Sequence, residues 1–177
     1  MQSFGRLKFI ELKNSLELIE TPDFNEVPVL EKLDLEDCTN LCKILTSINF
    51  LKRLTRLNLK GCKNLRNLPK KFAMESLEIL IFSGCSKVKK KIPKFGENMK
   101  RVSKLYLDST GITNLPTSIG NLTSHASLSV RDCKNLMSLP STFFFFGEEI
   151  LSVLLRKALQ ISMEYISGET SSIQTNI

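Results

Sequence analysis

Over the first 140 residues, apolar side chains return in one fixed spacing: apolar, two of any kind, apolar, one of any kind, apolar, two of any kind, then a small side chain. Six phased copies fit it: Leu7, Ile10, Leu12, Ser15; Leu30, Leu33, Leu35, Cys38; Leu54, Leu57, Leu59, Cys62; Leu77, Leu80, Phe82, Cys85; Val102, Leu105, Leu107, Thr110; and His125, Leu128, Val130, Cys133. Their starts lie 23, 24, 23, 25 and 23 residues apart. Within each copy the alternation of apolar and polar residues is the period-2 signature of a strand with one buried face. Between copies come Leu18, Leu41, Leu65, Val88 and Leu136, then Thr21-Pro22, Leu68-Pro69, Ile92-Pro93, Leu115-Pro116 and Leu139-Pro140. Proline at those points predicts an irregular or extended return to the next strand rather than a long helix.

One such copy cannot bury its apolar face alone, so the copies must stack, at roughly 4.8 Å per strand, into a continuous core. A period of 23 to 25 residues falls in the range of leucine-rich repeats. The predicted architecture is α/β: a leucine-rich-repeat solenoid of about six repeats, with a curved parallel sheet on the concave side, irregular convex returns and a C-terminal helix. The fourth copy gains one residue in Val88-Lys89-Lys90-Lys91-Ile92 and the fifth is shorter, with Ile112 ahead of Leu115-Pro116. Both changes fall in the convex return, where strand register is untouched.

Residues 1–140 read as the solenoid and 141–177 as a helical cap with a disordered tail. Phe143 to Phe146 form an apolar run. Glu148 to Glu164 reads as a helix with a polar stripe at Glu149, Ser152, Arg156, Gln160 and Glu164, stopped by Gly168, and GETSSIQTNI as disorder. Leu7 already belongs to a repeat, with no leading segment to cover the open end of the stack, so the sequence reads as a fragment or truncated form.

Cysteine changes the picture little. Cys38, Cys62, Cys85 and Cys133 share one template position, occupied elsewhere by Ser15 and Thr110, which asks for a small, buried, weakly polar side chain. Only Cys42 is off this ladder, and Cys38-x3-Cys42 with a single histidine is poor support for zinc. Structural thiols in a reducing compartment are expected, with no metal and no cofactor. Phosphate-loop, dinucleotide, nucleophile-elbow and metalloprotease motifs are all missing. His125 stands where other copies have leucine or valine and reads as a degenerate core position, so the chain is not expected to be an enzyme. No run approaches the roughly 20 apolar residues of a membrane helix, and the opening MQSFGRLKFIELKNS lacks the apolar core of a secretory signal. A cytoplasmic location is expected, with the nucleus as a second compartment.

The stretches TPDFNEVPVLEKLDLEDCTNL, LTRLNLKGCKNLRNLP, SGCSKVKKKIP, SKLYLDSTGITNLPTSIGNLT and VRDCKNLMSLP resemble the repeat region of plant disease resistance proteins of the TIR-NB-LRR class, similar to the tobacco mosaic virus resistance protein N and its relatives. The resemblance runs from about Leu7 to Pro140 and rests on cysteine at the turn and Leu-Pro in the return. It implies a protein-recognition and autoregulatory segment of an intracellular immune receptor, contacting a pathogen effector or host target and restraining a nucleotide-binding domain. Neither the TIR domain nor the nucleotide-binding domain is present here, so the resemblance brings neither their catalysis nor their ADP. A free-standing repeat scaffold or adaptor is the alternative.

Geometry supplies the candidate contacts, because template positions 3, 5, 7 and 8 should project from the concave sheet. The candidates are Lys32, Asp34, Glu36, Arg56, Asn58, Lys60, Ile79, Ile81, Lys104, Tyr106, Asp108 and Arg131, with Ile79, Ile81 and Tyr106 forming an apolar patch. Net charge is +7 and unevenly spread: Lys87, Lys89, Lys90, Lys91, Lys94, Lys100, Arg101 and Lys104 are opposed only by Glu97. A docking surface for an acidic neighbouring domain, centred on Lys87, Lys89, Lys90, Lys91 and Lys94, is preferred over nucleic acid, since only Phe95 offers an aromatic for stacking.

Overall fold

Each apolar-x-apolar triplet becomes a short strand, and the strands pair in parallel. The computed structural model describes residues 4–122 and 126–140, within the first of the two units into which the chain divides, Met1–Phe146 and Gly147–Ile177. His125, the phenylalanine run, the helix expected over 148–164 and the final ten residues lie outside the described residues.

Ten strands are described: β1 (Phe9–Glu11), β2 (Lys32–Asp34), β3 (Arg56–Asn58), β4 (Lys71–Phe72), β5 (Ile79–Ile81), β6 (Lys89–Lys91), β7 (Lys94–Phe95), β8 (Lys104–Tyr106), β9 (Gly111–Asn114) and β10 (Ser127–Ser129). Six of them build the concave sheet in the order β1-β2-β3-β5-β8-β10. Its register follows the repeat: Ile10, Leu33, Leu57, Leu80, Leu105 and Leu128 stand side by side. Among the described residues the architecture is a parallel β-solenoid whose helical segments are two 3-10 turns, Thr46–Phe50 and Thr117–Asn121. The α component of the expected α/β class is therefore not seen among them.

The core lies between the sheet and the returns. Leu30, Leu33 and Leu35, and their equivalents down to Val102, Leu105 and Leu107, are buried, each leucine contributing about 1.5–3 kcal/mol by leaving water. From the convex side a second register of Phe24, Ile48, Phe72, Phe95 and Ile119 closes the core. Phe72 stacks on Phe82, ring centroids 6.2 Å apart. Thr-Ser-Ile sequences hold this second register: Ser47 Oγ accepts from the Phe24 amide at 3.3 Å, and Ser118 Oγ from the Phe95 amide at 2.9 Å. Asn49 brackets the next return, accepting from the Ala73 amide and donating to the Lys71 carbonyl. The first repeat lies at the sheet edge and leaves Leu7, Leu16 and Ile19 exposed.

The return irregularities fall where the spacing placed them. Strand β6 pairs with β9 with a register shift between Lys90 and Lys91, while the concave pairing of β5 with β8 is unbroken. Gly111 stands opposite Lys89, ahead of that shift, where space allows no side chain: a Cβ there would come within 2.4 Å of the Ser86 carbonyl oxygen.

Position 8 differs from expectation. Asn14, Asp37, Gly61, Gly84, Ser109 and Asp132 all have positive φ, between 55° and 80°. They form the left-handed turns by which the chain leaves each strand, a conformation that glycine, asparagine and aspartate tolerate best. These residues shape the turn instead of projecting from the sheet.

Candidate protein-binding face

Strand pairing arranges the concave side chains in rows across the repeats. Position 3 reads Phe9, Lys32, Arg56, Ile79, Lys104, Ser127, and position 5 reads Glu11, Asp34, Asn58, Ile81, Tyr106, Ser129. Ile79 therefore stands between Arg56 and Lys104, and Ile81 beside Tyr106, as the period-2 argument requires.

Hydrogen bonding divides the candidates into two groups. Asn58 is only 2% exposed and serves as an internal bridge. Its amide donates to Asp34 Oδ1 at 2.9 Å and to Glu36 Oε2 at 3.3 Å, while its Oδ1 accepts from the Lys60 amide. Glu36 pairs with Lys60 Nζ at 2.7 Å, and that bond, ahead of the other influences, holds the Glu36 carboxyl below its ordinary pKa and raises Lys60. Asp34 meets Lys13 at 3.4 Å. Asp108 accepts from Ser83, Ser129 and the Arg131 amide. Asp34, Glu36, Asn58, Lys60 and Asp108, expected as contacts, thus form lateral bonds between repeats, and Asn58 in particular is too buried to meet a partner. The sequence hid this because polar residues at alternating positions look equally solvent-bound whether or not the next repeat supplies a partner. Truncation measures the difference: Asn58→Ala should cost about 1–3 kcal/mol by stranding buried polar partners, checked by urea unfolding, and a near-neutral result would contradict the bridge.

The second group is free to meet another molecule. Arg56, Lys104 and Arg131 make no ion pair among the described residues, and Lys32 lies over the exposed Phe9 ring at 5.3 Å. Ile79, Ile81 and Tyr106 are half-exposed on the same face.

The basic cluster is divided by the fold. Lys104 lies on the concave sheet, and Arg101 pairs with Glu78 at 3.0 Å. Lys87 Nζ donates to Asn64 at 2.6 Å, whereas Lys89 and Lys94 are exposed on the returns. Of Lys90 and Lys91 only the backbone, in β6, is described. Pairing of β4 with β7 sets Lys71 opposite Lys94, adding a convex cation that lies too far away in sequence to be grouped with them. Like charges directly opposed are destabilising.

The cysteines stand as a ladder. The thiols of Cys38, Cys62, Cys85 and Cys133 are buried and donate to the carbonyls of Leu12, Leu35, Leu59 and Leu107 at 2.8, 3.1, 3.0 and 3.0 Å. Each bond ties one repeat to the one before. Burial pushes the Cys62 thiol up to about 12 and Cys85 higher still, which suppresses the reactive thiolate. None of the five cysteines is in a disulfide, and only Cys42 is half-exposed, in an open depression beside Leu16, Asn40 and Arg66. In native protein a thiol reagent should label Cys42 first and the ladder only on unfolding, as mass spectrometry would read. Rapid labelling of Cys62 would overturn its placement. Among the described residues no group of three or more His, Cys, Asp or Glu could hold a metal ion, and no helix is long and apolar enough to cross a membrane.

A parallel sheet with one residue pattern per strand, a thiol ladder at the turns and an open polar-apolar concave face defines a leucine-rich-repeat protein. The chain belongs to the leucine-rich repeats of RPS4B-like disease resistance proteins, whose family model matches residues 72–161. That match continues beyond Pro140, where the repeat spacing ends. Among characterised relatives, the chain is 38% identical over 140 residues to the disease resistance protein RPP2A of Arabidopsis thaliana, covering 79% of this chain and 10% of that protein. It is 36% identical to the Arabidopsis thaliana protein RPS4B, covering 78% of this chain and 12% of that one. With TMV resistance protein N of Nicotiana glutinosa the identity is 34%, over 77% of this chain and 12% of that protein. The chain thus spans about a tenth of the length of these relatives. Its likeness to a solved leucine-rich-repeat protein of Leptospira interrogans is loose, with a TM-score of 0.39 at 18% identity over 67% of this chain and 39% of that one.

Proposed function

We propose that this chain is the protein-recognition and autoregulatory repeat segment of an intracellular plant immune receptor, acting by binding rather than catalysis and without a cofactor. In this reading the concave sheet contacts a pathogen effector or a host target. The convex return at Lys87, Lys89, Lys90, Lys91 and Lys94 docks against an acidic surface of the receptor's nucleotide-binding domain, in the cytoplasm or nucleus.

Membership of a disease-resistance repeat family carries the reading, and the two faces support it. Holding cations opposite one another, as at Lys71 and Lys94, costs stability unless an anionic surface meets them. A nucleic acid would also be anionic, but among the described residues no row of exposed aromatics accompanies these lysines to stack bases.

The test is a pull-down of the full chain with the nucleotide-binding domain of an RPS4B-like receptor, beside the Lys89→Ala/Lys90→Ala/Lys91→Ala triple variant. Binding that the variant loses supports the domain interface. Absence of binding by a folded sample would replace this reading with a free-standing repeat scaffold.

A further inference from the structure

The concave face carries a charge asymmetry that composition does not show. Every carboxylate projecting from it is already engaged: Glu11 and Asp34 by Lys13, Glu36 by Lys60, and Asp108 by Ser83 and Ser129. At the sheet margin Glu31 holds Lys8 at 2.9 Å and Glu78 holds Arg101. Arg56 and Lys104 are different, since neither has a carboxylate within ion-pair distance among the described residues. They flank Ile79 in a single row, with Ile81 and Tyr106 in the row beside it. The free surface is thus an apolar centre between two unneutralised cations.

Spacing restricts what fits. Arg56, Ile79 and Lys104 sit on three successive strands, and strands lie about 4.8 Å apart, so the two cations are about 10 Å apart along the sheet. A helix advances about 10.5 Å over seven residues, and its positions 3 and 4 residues on fall between. An extended chain matches less well: residues on one of its faces recur about every 6.6 Å, giving about 6.6 or 13 Å.

We infer that the concave face binds an acidic amphipathic helix of a protein partner, with carboxylates at i and i+7 on Arg56 and Lys104 and apolar side chains at i+3 and i+4 against Ile79, Ile81 and Tyr106. Apolar anchors bind by leaving water, and the two ion pairs set orientation and exclude basic partners. The inference rests on the reading of the concave sheet as the recognition face and names the chemistry that face selects.

The test titrates the full chain into a fluorescein-labelled 18-residue helical peptide with Glu at i and i+7 and Leu at i+3 and i+4, read by fluorescence anisotropy. Two controls accompany it: the same composition scrambled off the helical period, and the same pattern with Lys for Glu. The patterned acidic peptide should bind at least about tenfold more tightly than either, a difference of about 1.4 kcal/mol. Arg56→Glu/Lys104→Glu and Ile81→Ser should each lose that preference while their circular dichroism melts match the parent. Equal binding of the scrambled or lysine peptide, no binding of the patterned one, or binding unchanged in the charge-reversed variant would overturn the inference. The pull-down depends on convex lysines, so its success beside a failed titration removes only the helix-binding chemistry. Its failure beside a successful titration removes only the docked nucleotide-binding domain.

Discussion

Phe72→Ala should lower the unfolding free energy by about 3–5 kcal/mol, whereas Phe50→Ala should stay within about 0.5 kcal/mol of the parent. Both phenylalanines lie in convex returns, but Phe72 is fully buried while Phe50 is 58% exposed. The Phe72 ring stacks on Phe82, its strand pairs with that of Phe95, and its carbonyl accepts from the Gly96 amide. Truncation leaves a ring-sized void in the middle of the array. Each repeat contacts only its neighbours, so the void weakens the coupling between the repeats before and after it. Urea unfolding followed by circular dichroism checks this, with a midpoint shift as the expected readout. Equal, small shifts for the two variants would show that the convex phenylalanines do not close the core.

On the opposite wall, Leu57→Ala should cost about 2–5 kcal/mol. Leu57 is completely buried and stands in register between Leu33 and Leu80, so strands on both sides hold the backbone and limit collapse into the space. Lys60, three residues on, points to the concave surface, where its ion pair with Glu36 is largely exposed on the lysine side. Pairs this exposed contribute little, so Lys60→Ala should be mild. The same denaturation series measures both, and similar costs would invert the assignment of inner and outer faces. Together the two truncations probe the two walls of one core, and each should be expensive without the other.

Much of the site was legible for a plain reason. Alternation decides which side of a strand a residue occupies, so Arg56, Ile79, Ile81, Lys104 and Tyr106 could be assigned to the concave face from spacing alone. Asn58 shows the limit of that rule. Its position in the pattern equals that of Ile81 and Tyr106, but it is buried, bonded to Asp34 and Glu36 of the preceding repeat and to the Lys60 amide of its own. Lys71 shows the complementary limit, since return lengths decide which residue of the next repeat lies opposite, and its neighbour Lys94 is 23 positions away. Spacing alone groups position 8 with the projecting residues, but Gly61 and Gly84 within it signal the left-handed turn that the backbone adopts there.

The sequence by itself determined the period, the inward ladder of leucines and cysteines, the returns broken by proline and the place of the fourth-repeat irregularity. All of these are local, fixed by the two-residue repeat of a strand and by proline's missing amide hydrogen. Only the tertiary structure decided which polar side chains are neutralised, because a hydrogen-bond partner on this sheet comes from the repeat about 24 residues away, at a distance and angle that stacking alone sets. That is why the unpaired cations Arg56 and Lys104 became distinguishable from Lys60 and Arg101 only once the strands were side by side.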